Sequence, residues 1–406
     1  MQEIRRSPWE CLHRDVIESI LDRLVLLSDL IRFGAVCKSW NCLCLNYYRE
    51  KRILGINNQL PWLVVRPIKE GRDEHNLYNL TCSKIIKFQF EFDRDRHLKS
   101  YYRGSSHGWL FVTQKDFELL MFKPISEISF RLPPLNLKRT GGLYKGTSFT
   151  SNIFGSLTLS RDPSTCFGSQ PFEVLVASSS MSSDFIKFDV MAHWKSGDGF
   201  WTCSQNNSKE EDDDEYDRRF FDFIFYKGRM LAMSARYSRS TGIPQDVIDV
   251  ISISIDNSGG FKIKKVGSTP RIEGLNGVEG HLVETTKGEL LMVHKYTNDV
   301  PSNKLKTFRV YKVMICPCDS AAKIIPIKNL DGECLFLGKY NHGISVLASN
   351  YPACIPNSIR YATFFSQSSS KLEVFNMEDE SISYSFLPSG YEKVPCMPWV
   401  VPSMQL

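Results

Sequence analysis

The sequence lacks any long apolar run. No stretch of its 406 residues approaches the roughly 18 uninterrupted apolar residues of a membrane helix, and residues 1–6 are followed by no apolar signal core. We therefore expect a protein that neither crosses a membrane nor is secreted. The 12 cysteines are scattered along the chain, which indicates reduced thiols and a cytoplasmic and/or nuclear location.

The local signatures of common catalytic sites are also absent. The sequence contains no HExxH, GxSxG or Walker A motif, and no GxGxxG after a predicted strand. The closely spaced cysteines are Cys316 with Cys318, and the group of Cys37, Cys42 and Cys44. Neither set has the paired C-x2-C spacing of a zinc site. We therefore expect no catalysis, no metal and no cofactor.

The eight histidines lie far apart in the sequence. His107, His281 and His342 each lie beside a glycine or in a predicted turn, where surface histidines are common. A ring-shaped fold that gathered them would favour an enzyme instead. The sequence leaves that alternative open.

The charge is unevenly distributed. The formal net charge is +5, but residues 210–217 hold seven acids and no base. This run and its polar neighbours predict an acidic mobile loop at 204–219. Elsewhere no cluster of lysine and arginine with interleaved aromatic residues occurs, so we expect no nucleic-acid binding. A hydrophobic content of 42% excludes wholesale disorder.

The first fifty residues have the periodicity of helices. Between positions 14 and 24, apolar residues recur every three or four positions and charged residues occupy the opposite face, which predicts an amphipathic helix. Ser28 is a candidate N-cap for a second helix, and Gly34 marks a bend before a third. Two or three helices of this length bury little surface, so we expect a partner protein to cover them.

Several short strings in this region resemble the F-box family. They are Pro8-Trp9, Leu12, Asp15-Val16-Ile17, Ile20-Leu21, Asp29-Leu30, Arg32-Phe33 and Val36-Cys37-Lys38-Ser39-Trp40. The chain departs from the family at His13, where the family usually has proline. The resemblance implies docking on a Skp-family adaptor and, through it, on a cullin.

The same resemblance implies which side chains contact the adaptor. They are Trp9, Leu12, Val16, Ile17, Ile20, Leu21, Leu30, Phe33, Val36, Cys37 and Trp40. Each large aliphatic side chain buried in such a contact contributes roughly 1.5–3 kcal/mol to binding. The alternative is that these helices pack on the remainder of their own chain.

From Trp62 onward the apolar pattern changes to alternation and short runs, bounded by Gly, Pro, Asn, Asp and Ser. The runs form meanders of three or four strands, as at 108–132, 221–266 and 281–313. Units of about 40–50 residues repeated over this length predict a large all-β domain, a β-propeller of about 6–7 blades. Two stacked β-sandwiches are the alternative, because the turns are unevenly spaced.

The strand region resembles the plant F-box proteins whose C-terminal domain, formerly of unknown function, is a β-propeller. The strings that carry the resemblance are Ser106-His107-Gly108-Trp109-Leu110, Leu119-Leu120-Met121-Phe122-Lys123-Pro124, Phe225-Tyr226-Lys227-Gly228-Arg229, His281-Leu282-Val283-Glu284, Phe308-Arg309-Val310-Tyr311 and Cys334-Leu335-Phe336-Leu337-Gly338. It implies a multidomain chain with a three-helix F-box domain at 1–54, a linker with the first strand at 55–75, and the propeller at 76–400.

Together these features predict a substrate-recognition subunit of an SCF-type (Skp-cullin-F-box) E3 ubiquitin ligase. The F-box would dock on the adaptor, and the propeller would bind a target protein for ubiquitination. A protein-binding scaffold outside any ligase and a propeller-type enzyme are the alternatives. Nothing in the sequence identifies the target or the residues that bind it.

Overall fold

The computed structural model describes most of the chain. The described residues are 12–24, 27–53, 60–68, 75–87, 101–113, 119–134, 154–165, 171–181, 186–203, 216–238, 240–241, 243–256, 259–270, 279–297, 306–316, 321–338, 342–362, 371–393 and 399–402. The helices are α1 (Arg14–Leu21), α2 (Leu27–Gly34) and α3 (Lys38–Ile53). The strands are β1 (Trp62–Pro67), β2 (Asn76–Asn79), β3 (Lys84–Lys87), β4 (Tyr101–Ser106), β5 (Trp109–Thr113), β6 (Leu119–Lys123), β7 (Ile128–Arg131), β8 (Phe154–Leu159), β9 (Glu173–Met181), β10 (Ile186–Lys195), β11 (Thr202–Cys203), β12 (Tyr216–Tyr226), β13 (Arg229–Ser238), β14 (Pro244–Ile255), β15 (Phe261–Ser268), β16 (Glu279–Glu284), β17 (Leu290–Thr297), β18 (Lys306–Ile315), β19 (Ala322–Ile327), β20 (Glu333–Gly338), β21 (Ile344–Leu347), β22 (Ser358–Ala362), β23 (Lys371–Asn376), β24 (Ile382–Phe386), β25 (Tyr391–Lys393) and β26 (Trp399–Val400).

The helical region largely follows the predicted periodicity. The first helix spans Arg14–Leu21, somewhat shorter than predicted. The second helix ends at Gly34, so this glycine marks a break between helices as predicted. The predicted N-cap at Ser28 is wrong, because α2 already begins at Leu27.

The strands form six sheets in the described residues, arranged as the blades of a β-propeller. Blade 1 contains β1, β2 and β3 with β25 and β26. Blades 2 to 5 are the meanders β4–β7, β8–β11, β12–β15 and β16–β19, and blade 6 contains β20–β24. The inner strands β26, β4, β8, β12, β16 and β21 contact one another in sequence around the ring. The predicted propeller is confirmed with six blades, and the stacked β-sandwiches are wrong.

The middle strands of each blade are buried on both faces. In blade 2, Phe111 of β5 packs with Leu157 of blade 3. The preceding residue, Leu110, is on the other face of the strand and packs with Leu77 of blade 1. A strand covered on both sides needs apolar residues at consecutive positions rather than at alternate ones. This explains why the sequence shows short continuous apolar runs as well as alternation.

The carboxyl-terminal strands close the ring against the first blade. Both β25 and β26 pair with β1 in antiparallel register. The fully buried Trp399 of β26 donates a hydrogen bond from its indole nitrogen to the carbonyl oxygen of Leu337, at 2.9 Å. Its ring lies edge-on to that of Phe336, with 5.1 Å between the ring centroids. This one side chain therefore joins the closing strand to the neighbouring blade 6.

Two predicted segments include described strands. Strand β1 lies within the segment predicted to hold a linker and the first strand (55–75), and it pairs with β2 on one side and with β25 and β26 on the other. Strand β12 begins at Tyr216, so residues 216–219 pair with β13 and do not belong to the predicted acidic loop. A charged residue is stable in this strand because Arg218 forms an ion pair with Asp249, at 2.9 Å. Residues 204–215 lie outside the described ranges.

Two-residue turns connect the first and second strands of blades 2 and 4. In blade 4 the turn is Lys227-Gly228, with φ values of +50° and +76°, and in blade 2 it is His107-Gly108, with +53° and +82°. Both turns have the positive φ values of a type I′ hairpin, which glycine adopts readily at the second position. A lysine-glycine pair between two apolar runs favours such a turn from the local sequence alone.

Replacement of Trp399 with alanine tests the ring closure. The Trp399→Ala variant is expected to lose about 3–5 kcal/mol of unfolding free energy, because the change leaves a cavity and removes the donor to the Leu337 carbonyl. Urea unfolding followed by circular dichroism measures the change. The control is Phe200→Ala, since Phe200 is 81% exposed and its loss leaves no cavity. Equal unfolding midpoints for the two variants would contradict the role given to Trp399.

Candidate functional site

The three helices have an apolar core of their own. Its buried members are Ile17, Leu21, Leu30, Phe33, Cys44 and Tyr47, and Leu12, Ile20, Leu24, Trp40 and Leu43 pack around them. The rings of Phe33 and Trp40 stack with 4.4 Å between centroids. The hydroxyl of Tyr47 donates a hydrogen bond to Asp22, which joins α3 to the end of α1. In the part of the chain that the structure describes, this core contains no strand residue.

The residues predicted to contact an adaptor fall into groups of different exposure. Ile17, Leu21, Leu30 and Phe33 are buried in the helical core, whereas Leu12, Ile20, Cys37 and Trp40 are partly buried and Val16 and Val36 are exposed. Trp9 lies outside the described residues. These four residues pack against the neighbouring helices, because the most apolar stripe of a short helix turns toward its neighbours. Contact between these four residues and an adaptor stays a prediction.

Among the side chains of the helical unit that the structure describes, three large apolar ones are exposed. They are Val16, at 47%, Ile31, at 50%, and Val36, at 61%. Sequence analysis missed Ile31, because its neighbours Leu30 and Phe33 carry the same helical pattern and only packing decides which face turns outward. The helical unit also has a groove of about 520 Å³, and its lining residues are Gly34, Ala35, Cys37, Lys38, Asn41, Cys42 and Leu45.

His13 caps the first helix at the position where the F-box family usually has proline. Its ring nitrogen Nδ1 accepts a long hydrogen bond from the backbone nitrogen of Asp15, at 3.4 Å. Its carbonyl oxygen accepts hydrogen bonds from the backbone nitrogens of Val16 and Ile17, at 3.1 and 3.2 Å. The backbone angles of His13 are φ −62° and ψ 144°. Since proline holds φ near −65°, this backbone already has the conformation that proline would impose.

The His13→Pro variant tests whether the departure from the family matters. We expect its stability to change by no more than about 0.5 kcal/mol, because only a long, exposed side-chain hydrogen bond is lost. Thermal unfolding of the variant beside the wild type measures this. The control is His13→Gly, which removes the same side chain and loosens the backbone. A His13→Pro variant that is less stable than His13→Gly would contradict the assigned backbone fit.

A buried carboxyl group connects three inner strands of the ring. Asp222 of β12 accepts hydrogen bonds from the hydroxyl of Ser156 in β8, at 3.1 Å, and from the backbone nitrogen of Leu282 in β16, at 2.8 Å. It also accepts one from the backbone nitrogen of Phe223, at 2.9 Å. Asp222 sits where the register between β12 and β13 shifts, which turns its side chain toward both neighbours. It therefore ties blades 3, 4 and 5 together near the axis of the ring.

Burial sets the protonation of Asp222. Removal from water raises its pKa to about 7, although the three hydrogen bonds favour the charged form. Because the folded-state pKa lies above the ordinary value of about 4, the folded state binds the proton more tightly than the unfolded chain. The stabilisation that Asp222 provides is therefore complete below about pH 4 and is lost as the pH rises through about 7.

The Asp222→Asn variant tests this pH dependence. The asparagine side chain is neutral at every pH. The unfolding free energy of the wild type minus that of the variant should therefore fall between pH 5 and pH 8. The expected fall is about 1.4 kcal/mol for each unit of pKa shift that this range spans. Chemical unfolding at several pH values measures the difference. The control Asp198→Asn makes the same change at an exposed acid. A difference for Asp222→Asn that does not fall between pH 5 and pH 8, or that falls no more than the difference for the control, would contradict the assignment.

A second buried polar group joins blades 2 and 3. The ammonium group of Lys123, which is 1% exposed, lies 3.1 Å from a carboxylate oxygen of Asp162 and 2.7 Å from the hydroxyl of Ser164. The indole nitrogen of Trp109 donates to Asp162 at 2.8 Å. Burial alone would raise the pKa of Asp162, but the Lys123 charge and the hydrogen bonds hold it well below its usual range. The Lys123 ammonium, the Asp162 carboxylate and the Trp109 indole nitrogen each have a hydrogen-bond partner, which indicates that this cluster has a structural role.

The ring brings some of the scattered histidines close to other rings. His107 stacks on His342 with 5.9 Å between centroids, and the backbone nitrogen of His342 donates to the carbonyl of Ser105, at 3.2 Å. His281 lies edge-on to Tyr361. Burial lowers the pKa of His281 to about 4 and that of His342 to about 3, so both are neutral near pH 7. Within the described ranges no three His, Cys, Asp or Glu side chains come close enough to hold a metal ion together.

The segments that lead from one blade into the next, such as 88–100, 135–153, 204–215 and 271–278, lie outside the described residues.

Comparison with protein families identifies the class. Residues 48–383 match the KIB1-4 beta-propeller family, and residues 9–52 match the F-box domain. The first match covers most of the chain, and the protein therefore belongs to the KIB1-4 beta-propeller family, with an F-box domain before the propeller. The resemblance to plant F-box proteins with a C-terminal β-propeller is confirmed.

Individual similarities are weaker than the family matches. An F-box protein of Arabidopsis thaliana is 25% identical over 142 residues, and the match covers 33% of this chain and 30% of that protein. The solved α-L-arabinanase of Penicillium chrysogenum is 10% identical and has a TM-score of 0.36, over 84% of this chain and 89% of the enzyme. The N-terminal domain of Nup159 is 11% identical and has a TM-score of 0.28, over 79% and 75%. These TM-scores are too low for either structure to inform the function.

The chain spans about a third of the curated relative that it matches. Among the described helices, none combines the length and the apolar character that crossing a membrane requires.

Proposed function

We propose that this protein is a substrate-recognition subunit of an SCF-type E3 ubiquitin ligase. The observation that carries the proposal is the match of residues 9–52 to the F-box domain, ahead of a propeller that holds most of the chain. The F-box docks on a Skp-family adaptor and, through it, joins a cullin. The propeller binds a target protein and holds it near the ubiquitin-loaded enzyme, so that the effective concentration of target lysines rises.

The exposed side chains of the helical unit support a docking role. Val16, Ile31 and Val36 are apolar and outward-facing, although a helical unit of this size gains stability from every apolar group that it buries. An adaptor that covers them would remove their apolar surface from water. The buried residues Ile17, Leu21, Leu30 and Phe33 contribute indirectly, because they hold the helices in the arrangement that presents the outer face.

We place the protein in the cytoplasm and/or the nucleus, where cullin-based ligases would encounter it. The cysteines support this placement, since those that the structure describes, eight in number, are all free thiols.

Substitution of the exposed apolar residues tests the docking surface. The single variants Val16→Asp, Ile31→Asp and Val36→Asp are each expected to raise the Kd for a Skp-family adaptor by about ten- to a hundredfold, because each removes an apolar contact and buries a charge. Their thermal midpoints should match that of the wild type, since all three positions are exposed. Isothermal titration calorimetry with the purified full chain measures the binding.

The matched control makes the same chemical change on the propeller. Ile243 is 59% exposed, and the Ile243→Asp variant should bind the adaptor as the wild type does. A wild type that does not bind any Skp-family adaptor would refute the ligase role. Adaptor binding without a cullin in affinity purification would instead favour a scaffold outside the ligase.

A further inference from the structure

A groove of about 300 Å³ lies between blades 4 and 5. Blade 4 contributes the turn between β12 and β13, and blade 5 contributes the start of β17 and the end of β18. The hydroxyl of Tyr226 donates a hydrogen bond to the carbonyl oxygen of Gly288, at 2.9 Å, and so joins the two walls. The backbone nitrogen of Gly288 donates to the carbonyl oxygen of Thr285, also at 2.9 Å, which closes the turn before β17. Hydrogen bonds therefore hold both walls in place without a partner.

The floor of the groove is apolar. Leu290 and Val313 line it and belong to the core that blades 4 and 5 share. Beyond them lie Ile315, which is partly buried, and Met314, which is 49% exposed. A methionine side chain adapts its shape to what it contacts. An aliphatic side chain of a partner on this floor would remove apolar surface of both molecules from water.

The rim of the groove is positively charged. Among the described residues that line it, the charged ones are the cations Lys227, Arg229 and Lys312 and the carboxylate Glu289. Glu289 forms an ion pair with Lys312, at 2.5 Å. Outside the lining, the carboxylate of Glu284 also acts on Lys227. Even with both carboxylates included, the cations are in excess.

The positive surface continues onto the outer strands of the same two blades. Lys323 of β19 pairs with Met314 in the strand register, so the charge begins at the edge of the groove. The outer strands touch, because a Cβ atom at Gly267 of β15 would lie 2.7 Å from the carbonyl oxygen of Ala322 in β19. Strands β15 and β19 contain no acid, and their lysines are all exposed: Lys262, Lys264, Lys265 and Lys323.

This combination of charge and apolar surface favours one kind of partner. Cations around an apolar floor are complementary to a peptide that has carboxylates on both sides of an aliphatic residue. A nucleic acid fits less well, because its phosphates would meet the Glu289 carboxylate and the apolar floor. The aromatic ring in the lining, that of Tyr226, is only 7% exposed and offers little surface for base stacking.

We propose that the groove between blades 4 and 5 binds an acidic peptide segment of a partner protein. An aliphatic residue of the segment lies on Met314, and its carboxylates lie near Lys227 and the outer-strand lysines. The identification of this partner as the target of a ligase rests on the function proposed above, whereas the peptide binding itself does not. Since the cations are exposed, binding weakens as the salt concentration rises.

Fluorescence anisotropy with the purified full chain tests the groove. The probe is a fluorescein-labelled peptide of one leucine between two runs of three glutamates. It should bind at low salt with a Kd of about 100 μM or tighter, and the same peptide with serine in place of leucine should bind about tenfold more weakly. A peptide with lysines in place of the glutamates should not bind.

Two variants test the rim and the floor separately. Lys227→Glu reverses a charge on the rim and Met314→Asp removes apolar surface from the floor, so each should raise the Kd for the leucine peptide by about tenfold. Both positions are exposed, and their thermal midpoints should match that of the wild type. The matched controls are Lys84→Glu on blade 1 and Ile243→Asp on blade 4, which change other exposed residues and should leave the Kd within about twofold.

Three results would overturn the proposal. They are no binding of the leucine peptide by the wild type, equal effects of the groove variants and their controls, and displacement of the peptide by a single-stranded oligothymidine as readily as by the unlabelled peptide. Adaptor binding is measured on the same preparations and should be unchanged in Lys227→Glu and Met314→Asp. A wild type that binds the adaptor but not the peptide refutes the groove alone. One that binds the peptide but no adaptor refutes the ligase role and supports the groove.

Discussion

The antiparallel pairing of β25 and β26 with β1 is the constraint on which the rest of the propeller depends. Each blade is a thin sheet with apolar residues on both faces, so it is stable only with a neighbour on each side. Without the closing strands, blades 1 and 6 would each expose one such face. The closure also joins residues that lie more than three hundred positions apart, so a large share of the buried surface depends on the last part of the chain.

Polar groups inside the ring specify how neighbouring blades align. An apolar interface tolerates small shifts, but a buried carboxylate or ammonium group is costly unless its partners are in place. Asp222 takes its partners from the inner strands on either side, and Lys123 takes its partner from the next blade. Apolar burial therefore stabilises the interfaces between blades, and these polar groups fix how the blades align.

The two parts of the chain divide the proposed work between them. The helical unit has an apolar core of its own, and Val16, Ile31 and Val36 are exposed on it. The propeller provides a closed ring of six blades. Blade 6 differs from the other blades, because its strand β22 runs parallel to β20.

The sequence by itself determined the features that depend on local contacts. Helical and strand periodicity, the break at Gly34, the Lys227-Gly228 turn and the family strings all follow from residues that are neighbours in the chain. Only the tertiary structure decided that Ile17 faces inward and Val16 outward, that six blades close through Trp399, and that Asp222 takes its partners from two neighbouring blades. The physical reason is that burial, strand register and polar contacts depend on residues that are distant in sequence. Local propensity does not determine which of those residues come into contact.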